Sequence, residues 1–335
     1  MTSKPFISPC KFVASFTAVK LPKNSICIVD ARLKKIIPKG FLRNRSIYWV
    51  QAGERLKALK GLSGHYSKIL KIAQKHQRSG LTLVAIGGGS VGDFAGFVAS
   101  TLFRGVALVH IPSTWLAAVD SAHGGKTALN VEGVKNQIGT YYFAQQVLLV
   151  ETLLKGQPRA RSQEAYFEFL KMALLSSRPW GKAFLRNASS ESKFLWKSLK
   201  FAIQEKNSIV KKDPFEKKGI RHFLNFGHTL GHAVESGYKL PHGVAVGYGL
   251  DFALWWSIHR GYLAPKSGGI MREVLGMNLS KKVMSVSHLM SLLVKDKKKT
   301  SLGSLNFVFL KAHGSPLLKE VRVSEMRAAL HRYFR

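Results

Sequence analysis

Residues 81–93 read Leu81-Thr-Leu-Val-Ala-Ile86-Gly-Gly-Gly-Ser-Val-Gly92-Asp93, an apolar run that ends in three consecutive glycines. The apolar run predicts a buried strand, and we expect a helix to begin near Phe94. Glycines at such a turn let backbone amides approach a pyrophosphate at the N-terminus of the helix. Because the pattern is not G-x-G-x-x-G, a tight turn that needs positive φ remains an alternative to a nucleotide site.

Similar strands occur on both sides of this stretch. Ser25–Val29 and Ser46–Val50 precede it, Val106–Ile111 follows it, and Leu62–Gln77 has the apolar spacing of a helix. Strands that alternate with helices predict a parallel sheet and an α/β fold. Asp30 follows the first strand, where an acidic residue often meets a ribose, although it equally often caps a turn.

A second informative segment carries polar groups at helical spacing. Arg221, Asn225, His228 and His232 are separated by four, three and four residues, so a continuous helix would place them on one face. An arginine, an amide and two imidazoles are costly to bury unless a ligand or metal satisfies them. The same spacing also suits a surface or capping histidine pair.

A metal site would need ligands from other segments. His242 lies beyond a turn that contains Gly237 and Pro241, so it can fold back toward the histidine face. Glu168 is a lone acid in an apolar helical segment, with Lys171 on the same face. Two histidines and one glutamate with an open fourth position form a catalytic zinc set.

The composition limits the class of protein. The chain has 335 residues, enough for two domains and a large core. No apolar run is long enough to span a bilayer, and the N-terminus lacks the apolar core of a signal peptide. Two cysteines are too few for a disulfide framework. We therefore expect a cytoplasmic protein without a membrane partner.

The net charge of +34 is the main compositional anomaly. Such a charge usually indicates nucleic acid or an acidic surface as partner. The lysines and arginines are dispersed, however, and their short runs form no long arm or known binding motif. A solvated basic surface is the favoured interpretation, and no nucleic-acid partner is expected.

Two segments, residues 119–127 and 135–139, combine small side chains with an acid, lysines and a side-chain amide. Asp120, Lys126, Lys135 and Asn136 supply these groups. The combination suits a phosphate and several hydroxyls, although either lysine could equally lie on the surface.

With these segments in place, the chain resembles 3-dehydroquinate synthase over nearly its whole length. The resemblance lies in these patterns: Gly53-Glu54-x-x-Lys57, Gly87-Gly-Gly-x-x-Gly92-Asp93, Arg104-Gly105, Asp120-Ser-x-x-Gly-Gly-Lys126-Thr127, Lys135-Asn136, Glu168-x-x-Lys171, Arg221-x-x-x-Asn225-Phe-Gly-His228-Thr-x-x-His232-Ala-x-Glu235, His242-Gly243 and Asp296-Lys297-Lys298. It implies a Rossmann-like parallel-sheet domain that binds NAD (residues 1–157) and a mainly helical domain that binds metal and substrate (residues 158–335). The resemblance further implies an active site in the cleft between them and a homodimer.

The resemblance also implies the reaction. The enzyme converts 3-deoxy-D-arabino-heptulosonate 7-phosphate, a small sugar phosphate, into 3-dehydroquinate and phosphate on the route to chorismate. Bound NAD oxidises a hydroxyl transiently, phosphate leaves, the hydride returns, and an aldol step closes the ring. NAD thus ends in its starting oxidation state, and the protein supplies orientation and electrostatics.

Site residues follow from the matching positions. Glu168, His228 and His242 would bind Zn²⁺, or Co²⁺ in its place. The implied substrate contacts are Asp120, Lys126, Asn136, Lys171, Lys206, Arg221, Asn225, His232, one of Lys297 and Lys298, and Arg104 from the partner subunit. Within that set, Lys126, Asn136 and His232 would hold the phosphate-like end, and Arg221 and Lys206 the carboxylate side. The implied NAD contacts are Asp30, Glu54, Lys57, Gly89, Ser90, Val91, Gly92, Asp93, Ser113, Thr114, Lys126, Lys135 and a turn formed by Leu153, Leu154, Lys155 and Gly156.

Some positions depart from the family pattern. Val244 follows His242-Gly243 where glutamate is usual, Ser113 replaces threonine, Ala122-His123 replaces Ser-Val, and Glu151 replaces aspartate. Valine cannot accept a hydrogen bond, so support for a metal ligand would have to come from elsewhere. We therefore predict that Val244→Glu leaves the fold intact and tightens metal binding.

Three other functions are alternatives to this one. Another sugar phosphate cyclase, such as 2-deoxy-scyllo-inosose synthase, would have no substrate carboxylate to pair with Arg221 and Lys206. A metal-dependent polyol dehydrogenase would lack the block from Asp120 to Asn136 and would release NADH. A catalytically silent RNA-binding protein would need an aromatic and basic motif, which the sequence does not show.

Overall fold

The structure is a computed structural model that describes residues 6–276, 279, 284–296 and 303–334. The chain divides into two compact units, residues 1–161 and residues 162–335. None of the helices in the described ranges is both long and apolar enough to cross a bilayer.

The first unit contains a six-stranded parallel sheet with helices. Its elements are β1 (Cys10–Val13), β2 (Ser25–Asp30), α1 (Lys39–Leu42), β3 (Ser46–Val50), α2 (Leu62–Ala73), β4 (Thr82–Gly87), α3 (Gly89–Thr101), β5 (Ala107–Pro112), β6 (Lys126–Val131), β7 (Val134–Tyr141), β8 (Gln146–Val150) and α4 (Glu151–Lys155). The sheet order is β1-β8-β5-β4-β2-β3, and β6 pairs with β7 in a separate antiparallel hairpin. The parallel sheet predicted from the alternating pattern is therefore present.

Alternation of side chains along β2 explains why both faces of the sheet are buried. Ile26 and Ile28 pack in one apolar cluster with residues of α2 and α3, whereas Cys27 and Val29 pack in a second cluster. Successive residues of a strand point to opposite faces. A parallel sheet covered on both sides accordingly needs the near-continuous apolar runs that the sequence shows.

The order of the strands creates a switch point between β2 and β4. The chain passes from β2 outward to β3 and then returns to the other side of β2, where β4 and β5 follow. The carboxyl ends of β2 and β4, at Asp30 and Gly87, thus lie side by side. In open α/β sheets, ligands bind at this place.

Helix α3 begins at Gly89, five residues before the predicted start near Phe94. The glycines lowered the apparent helix propensity of this segment. The first turn of α3 therefore contains the glycine-rich sequence itself, which is where unpaired backbone N–H groups of a helix are found. Helix α2 likewise ends at Ala73, before the predicted Gln77.

The second unit is mainly helical and carries one β-hairpin. Its elements are α5 (Arg159–Leu175, which begins just before the division), α6 (Pro179–Arg186), α7 (Ser192–Lys212), α8 (His228–Tyr238), α9 (His242–His259), α10 (Pro265–Gly276), α11 (Val286–Asp296), β9 (Ser304–Ala312), β10 (Ser315–Arg322) and α12 (Val323–Tyr333). Strands β9 and β10 are antiparallel.

The prediction of one continuous helical face from Arg221 to His232 was wrong. Residues 220–225 form a 3-10 helix, and α8 begins only at His228. Gly227 separates them because its φ of 79° is left-handed, a conformation that glycine adopts without steric cost. A Cβ at Gly227 would also lie 2.8 Å from the backbone nitrogen of Leu250 in α9, so the break lets α8 and α9 approach closely.

Candidate metal and nucleotide sites

Glu168 is the centre of the polar cluster in the second unit. It lies in α5 with 1% of its surface exposed, and its Oε1 is buried without a hydrogen-bond partner among the described residues. Lys171 Nζ lies 2.5 Å from Oε2 as an ion pair, one helical turn away. Lys171 thus partly balances the charge of Glu168. The carboxylate still has unused lone pairs in a buried site, where unsatisfied polar groups cost free energy.

Two histidines approach the same oxygen of Glu168. Nε2 of His228 lies 3.4 Å from Oε1, and Nε2 of His242 lies 3.9 Å from it. One ligand atom from each of the three residues lies within 4.8 Å of the others. Ligand atoms 2.0–2.1 Å from a tetrahedral zinc ion are about 3.4 Å apart, so the spacing fits a divalent ion.

The other ring nitrogen of each histidine has an acceptor. Nδ1 of His228 lies 3.2 Å from the carbonyl oxygen of Phe226, and Nδ1 of His242 lies 2.8 Å from Oε2 of Glu235. A carbonyl and a carboxylate can only accept, so each Nδ1 donates its proton and each Nε2 keeps its lone pair. This is the arrangement by which protein groups hold metal-binding imidazoles.

Close backbone contacts explain how three separate segments meet. A Cβ at Gly243 would overlap the carbonyl group of Glu164 in α5. Gly243 follows His242, and Glu164 is one helical turn before Glu168. The missing side chain at Gly243 therefore lets the start of α9 reach the helix that carries Glu168.

The remaining polar residues of this unit have different surroundings. His232 is exposed, and its ring centroid lies 5.4 Å from that of His228. Asn225 is exposed, whereas Arg221 is 4% and Lys206 is 5% exposed. The buried cations belong to α7 and to the 3-10 turn that follows it.

Asp213 holds the loop before Arg221. Its carboxylate accepts backbone N–H groups from Lys217, Lys218 and Arg221 at 2.8–3.1 Å. Burial opposes the charge of Asp213, but the three amide hydrogen bonds outweigh it and lower the pKa of the carboxyl group. Arg221 in turn donates through Nη1 to the carbonyl of Pro214 at 2.7 Å.

In the first unit, Lys57 is the centre of a second polar cluster. Its Nζ donates to Oδ1 of Asn136 at 2.7 Å and lies 2.8 Å from Oδ2 of Asp93. Burial raises the pKa of the Asp93 carboxyl group, Lys57 opposes that shift, and Glu54 and Asp120 add to it. Asp120 therefore lies close enough to Asp93 to act on its charge.

The glycine-rich turn lies beside this cluster. The backbone N–H of Gly53 donates to Oγ of Ser90 in the first turn of α3 at 3.0 Å. A Cβ at Gly88 would lie 3.3 Å from Thr114, and a Cβ at Gly89 would lie 3.2 Å from Oγ of Ser121. Glycine at these two positions therefore lets Thr114 and Ser121 pack against the start of α3, where the unpaired backbone N–H groups of a helix N-terminus suit a phosphate group.

Asp30 stands at the adjacent strand end and is 3% exposed. Its carboxylate accepts from Nε and Nη2 of Arg32 and caps the turn after β2. A ribose contact at Asp30 would therefore share the carboxylate with an exposed arginine.

Other predicted residues are placed as follows. Lys126 and Lys135 are exposed on the β6–β7 hairpin, Ser113 is buried after β5, and Val91 and Gly92 lie in α3. Arg104 is exposed in a turn, with a left-handed φ of 66°. Lys297 and Lys298 lie outside the described residues.

The predicted turn at Leu153, Leu154, Lys155 and Gly156 is mostly helix. Leu153 and Leu154 are buried in α4, and Lys155 pairs with Glu151 at 2.5 Å. The side chains of Leu153 and Leu154 are therefore unavailable to a ligand. Only the backbone of this segment and Gly156, at the end of α4, resemble the expected turn.

Three residues with structural partners in these clusters had no assigned role in the sequence. Glu235 contacts His242, Asp213 holds Arg221, and Asn130 accepts the backbone N–H of Asn136 at 2.9 Å while donating to Glu54 at 2.7 Å. Glu235 and His242 are seven residues apart with a turn between them, which spacing alone does not identify as a contact. For Asp213, its position directly before Pro214 could have indicated a turn in which the aspartate accepts backbone hydrogen bonds.

Comparison with known proteins places the chain in a family. Models described as 3-dehydroquinate synthase N-terminal and C-terminal match residues 47–164 and 165–299. The 3-dehydroquinate synthase of Pyrobaculum islandicum is 34% identical over 289 residues, which cover 84% of this chain and 83% of that protein. That of Latilactobacillus sakei is 33% identical over 292 residues, with coverages of 85% and 80%.

A solved structure agrees on the fold. The structure of 2-deoxy-scyllo-inosose synthase complexed with carbaglucose-6-phosphate, NAD⁺ and Co²⁺ has a TM-score of 0.85, 24% identity and 96% coverage of each chain. At that identity it establishes the α/β fold with a helical second unit. Taken with the curated relatives and the two matched models, these findings show that the chain belongs to the 3-dehydroquinate synthase family.

Proposed function

We propose that this chain converts 3-deoxy-D-arabino-heptulosonate 7-phosphate into 3-dehydroquinate and phosphate, as a phosphate-eliminating lyase. The observation that carries the proposal is the convergence of Glu168, His228 and His242 in a chain that both family models match. Buried carboxylate oxygens are normally hydrogen-bonded, so a histidine pair that meets the unpaired Oε1 of Glu168 supports a metal site.

The three converging residues would hold Zn²⁺ or Co²⁺. A bound divalent ion acts as a Lewis acid that polarises substrate hydroxyl groups. The chain contributes the fixed ligand geometry: Glu168 is buried, and the acceptors at each Nδ1 keep both imidazoles in the metal-binding tautomer.

NAD would bind at the switch point of the first unit. The turn from Gly87 to Gly89 and the first turn of α3 offer backbone amides to its pyrophosphate, and Asp30 stands where a ribose is usually contacted. NAD supplies reversible hydride transfer, while the surrounding residues orient it. The ion pair of Lys57 and Asp93 would hold α3 against the 3-10 turn Glu54–Lys57.

Charged residues suit a substrate with a phosphate and a carboxylate. We assign the carboxylate side to Arg221 and Lys206, and the phosphate end to Lys126, Asn136 and His232, with Asp120, Lys171, Asn225, Arg104 and one of Lys297 and Lys298 as further contacts. Arg221 and Lys206 are buried cations in the 3-10 turn at 220–225 and in α7, and a carboxylate is a suitable ligand for buried positive charge. The family relation also supports a cytoplasmic homodimer that acts on a small molecule and binds no nucleic acid.

A phosphate-release assay tests the proposed reaction. The metal-loaded protein with catalytic NAD is expected to release phosphate from the heptulosonate phosphate and form 3-dehydroquinate, without net NADH. A chelator is expected to stop the release. Stoichiometric NADH accumulation would contradict the proposal and favour a polyol dehydrogenase.

A second cyclase function has one supporting observation, the close fold match to 2-deoxy-scyllo-inosose synthase. Sequence identity to the dehydroquinate synthases is higher, at 34% against 24%. Parallel assays with glucose 6-phosphate separate the two functions. Turnover of the hexose phosphate without turnover of the heptulosonate phosphate would favour the alternative.

A further inference from the structure

We propose that Glu235 is a positioning residue that orients His242 for metal binding. It would supply from α8 the support that a carboxylate after His242-Gly243 could otherwise provide. The inference rests on the proposed metal set of Glu168, His228 and His242. Glu235 contacts Nδ1 of His242, the ring nitrogen that does not face the metal position.

Glu235 is placed for this role by the geometry of α8. It follows His228 by seven residues, which is two helical turns along nearly the same face. One helix therefore carries both a metal ligand and the support of the second ligand. Oε2 of Glu235 lies 2.8 Å from Nδ1 of His242, and the two side chains are 22% and 29% exposed.

The chemistry of the contact makes it directional. A carboxylate accepts the Nδ1 proton and so leaves the Nε2 lone pair facing Glu168 Oε1. Charged acceptors form stronger hydrogen bonds than neutral carbonyls, so His242 is held more firmly than His228, whose Nδ1 meets a backbone carbonyl.

Position 244 does not offer a comparable group. Val244 is half-buried in the first turn of α9 and has no hydrogen-bonding side chain. Glu235 thus accounts for how His242 is oriented in a chain that has valine after the His-Gly pair.

The test is a Co²⁺ titration of metal-free protein, followed by the visible absorption of the bound ion. Glu235→Gln keeps the size of the side chain and removes its charge, and Glu235→Ala removes the acceptor entirely. Loss of support at a metal-bound histidine typically weakens affinity by about 10- to 100-fold. We expect that range for Glu235→Ala, a smaller loss for Glu235→Gln, and an altered absorption spectrum in both.

Glu273→Gln is the matched control. Glu273 is an exposed acid of α10 in the same unit, so this variant changes the net charge equally. It should leave Co²⁺ affinity and spectrum unchanged. Circular dichroism of each metal-free variant, together with its unfolding midpoint, separates a folding defect from a binding defect.

Two results would overturn the inference. The first is equal Co²⁺ affinity and an equal spectrum in Glu235→Ala and the parent. The second is a loss of Co²⁺ affinity in the Glu235 variants that Glu273→Gln reproduces. The readout is independent of turnover. If the parent shows no phosphate release while Co²⁺ binding still weakens in the Glu235 variants, the proposed function fails and the role of Glu235 stands.

Discussion

Lys57 and Lys171 are both buried lysines that lie beside a carboxylate, but their surroundings differ. Lys57 contacts Asp93 and also donates to Asn136, so its cluster satisfies itself. Lys171 contacts Oε2 of Glu168, whereas Oε1 has no hydrogen-bond partner among the described residues. Buried polar groups that complete one another stabilise local structure, whereas incomplete ones indicate a place for a ligand.

The polar groups around Lys57 are thus paired without a ligand, whereas those around Lys171 leave a carboxylate oxygen for one. In the first unit, removal of a charge should cost folding free energy. In the second unit, removal of a ligand should cost metal and activity, and replacing the pair of Glu168 and Lys171 with apolar side chains should stabilise the metal-free fold. The following variants test that division.

The largest effect is expected from removing a metal ligand. His228→Ala and His242→Ala should each lose bound metal and lower turnover by about 1,000-fold or more, because Lewis-acid polarisation contributes several kcal/mol. Metal analysis and phosphate release measure both losses. Stoichiometric metal in both purified variants would refute the assignment of these ligands.

Lys57→Met should act on stability instead. Asp93 would lose its cation in a buried site and Asn136 its donor, so we expect the free energy of unfolding to fall by about 3 kcal/mol. Urea unfolding measures the change, and metal content should stay at the parent level. Lys60→Met, at an exposed lysine of the same segment, is the control. If Lys57→Met and Lys60→Met changed the free energy of unfolding equally and only slightly, the cluster around Lys57 would not support the fold.

Replacing the pair of Glu168 and Lys171 in the second unit should raise the free energy of unfolding instead of lowering it. Glu168→Leu combined with Lys171→Met exchanges a buried ion pair for apolar side chains, a change that often stabilises by about 1–4 kcal/mol. We expect a more stable metal-free protein that no longer binds metal. Glu168→Leu alone should be destabilising, because it leaves the Lys171 charge buried without its partner. A double variant less stable than the parent in chelator would show that the pair supports the fold.

The sequence predicted the regular parts of the first unit well. Strands β2 and β3 were expected within one residue of their observed bounds, because short β-branched runs between turn residues have few other conformations. The start of α3 was misplaced, since glycines at Gly89 and Gly92 disfavour helix in general while allowing the close approach seen here.

The site was less predictable because it depends on distant contacts. The histidine spacing suggested one helical face, but Gly227 breaks that segment, and the packing of Leu250 against Gly227 cannot be read from local pattern. The resemblance supplied Glu168, His228 and His242 as a set, and the structure brings them together. Glu235 required knowledge of how α8 and α9 turn back on each other.

The smallest effect is expected from Val244→Glu. Val244 is half-buried at the third residue of α9, and a carboxylate in the first turn of a helix is favoured by about 0.3–1 kcal/mol through the helix dipole. The fold should therefore remain intact. Since Glu235 already accepts from Nδ1 of His242, we expect metal binding to tighten by less than about 10-fold, below the full range for such support.

A chelator titration of the parent and Val244→Glu, with and without Glu235→Gln, separates the two carboxylates. If a carboxylate at position 244 can orient His242, Val244→Glu should increase metal affinity more in the Glu235→Gln background, because the stronger acceptor has been removed there. Equal benefit in both backgrounds would mean that the added charge acts through the helix terminus alone. Loss of metal at a lower chelator concentration in Val244→Glu would instead identify Val244 as a packing residue, around which Glu235 has become the support of His242.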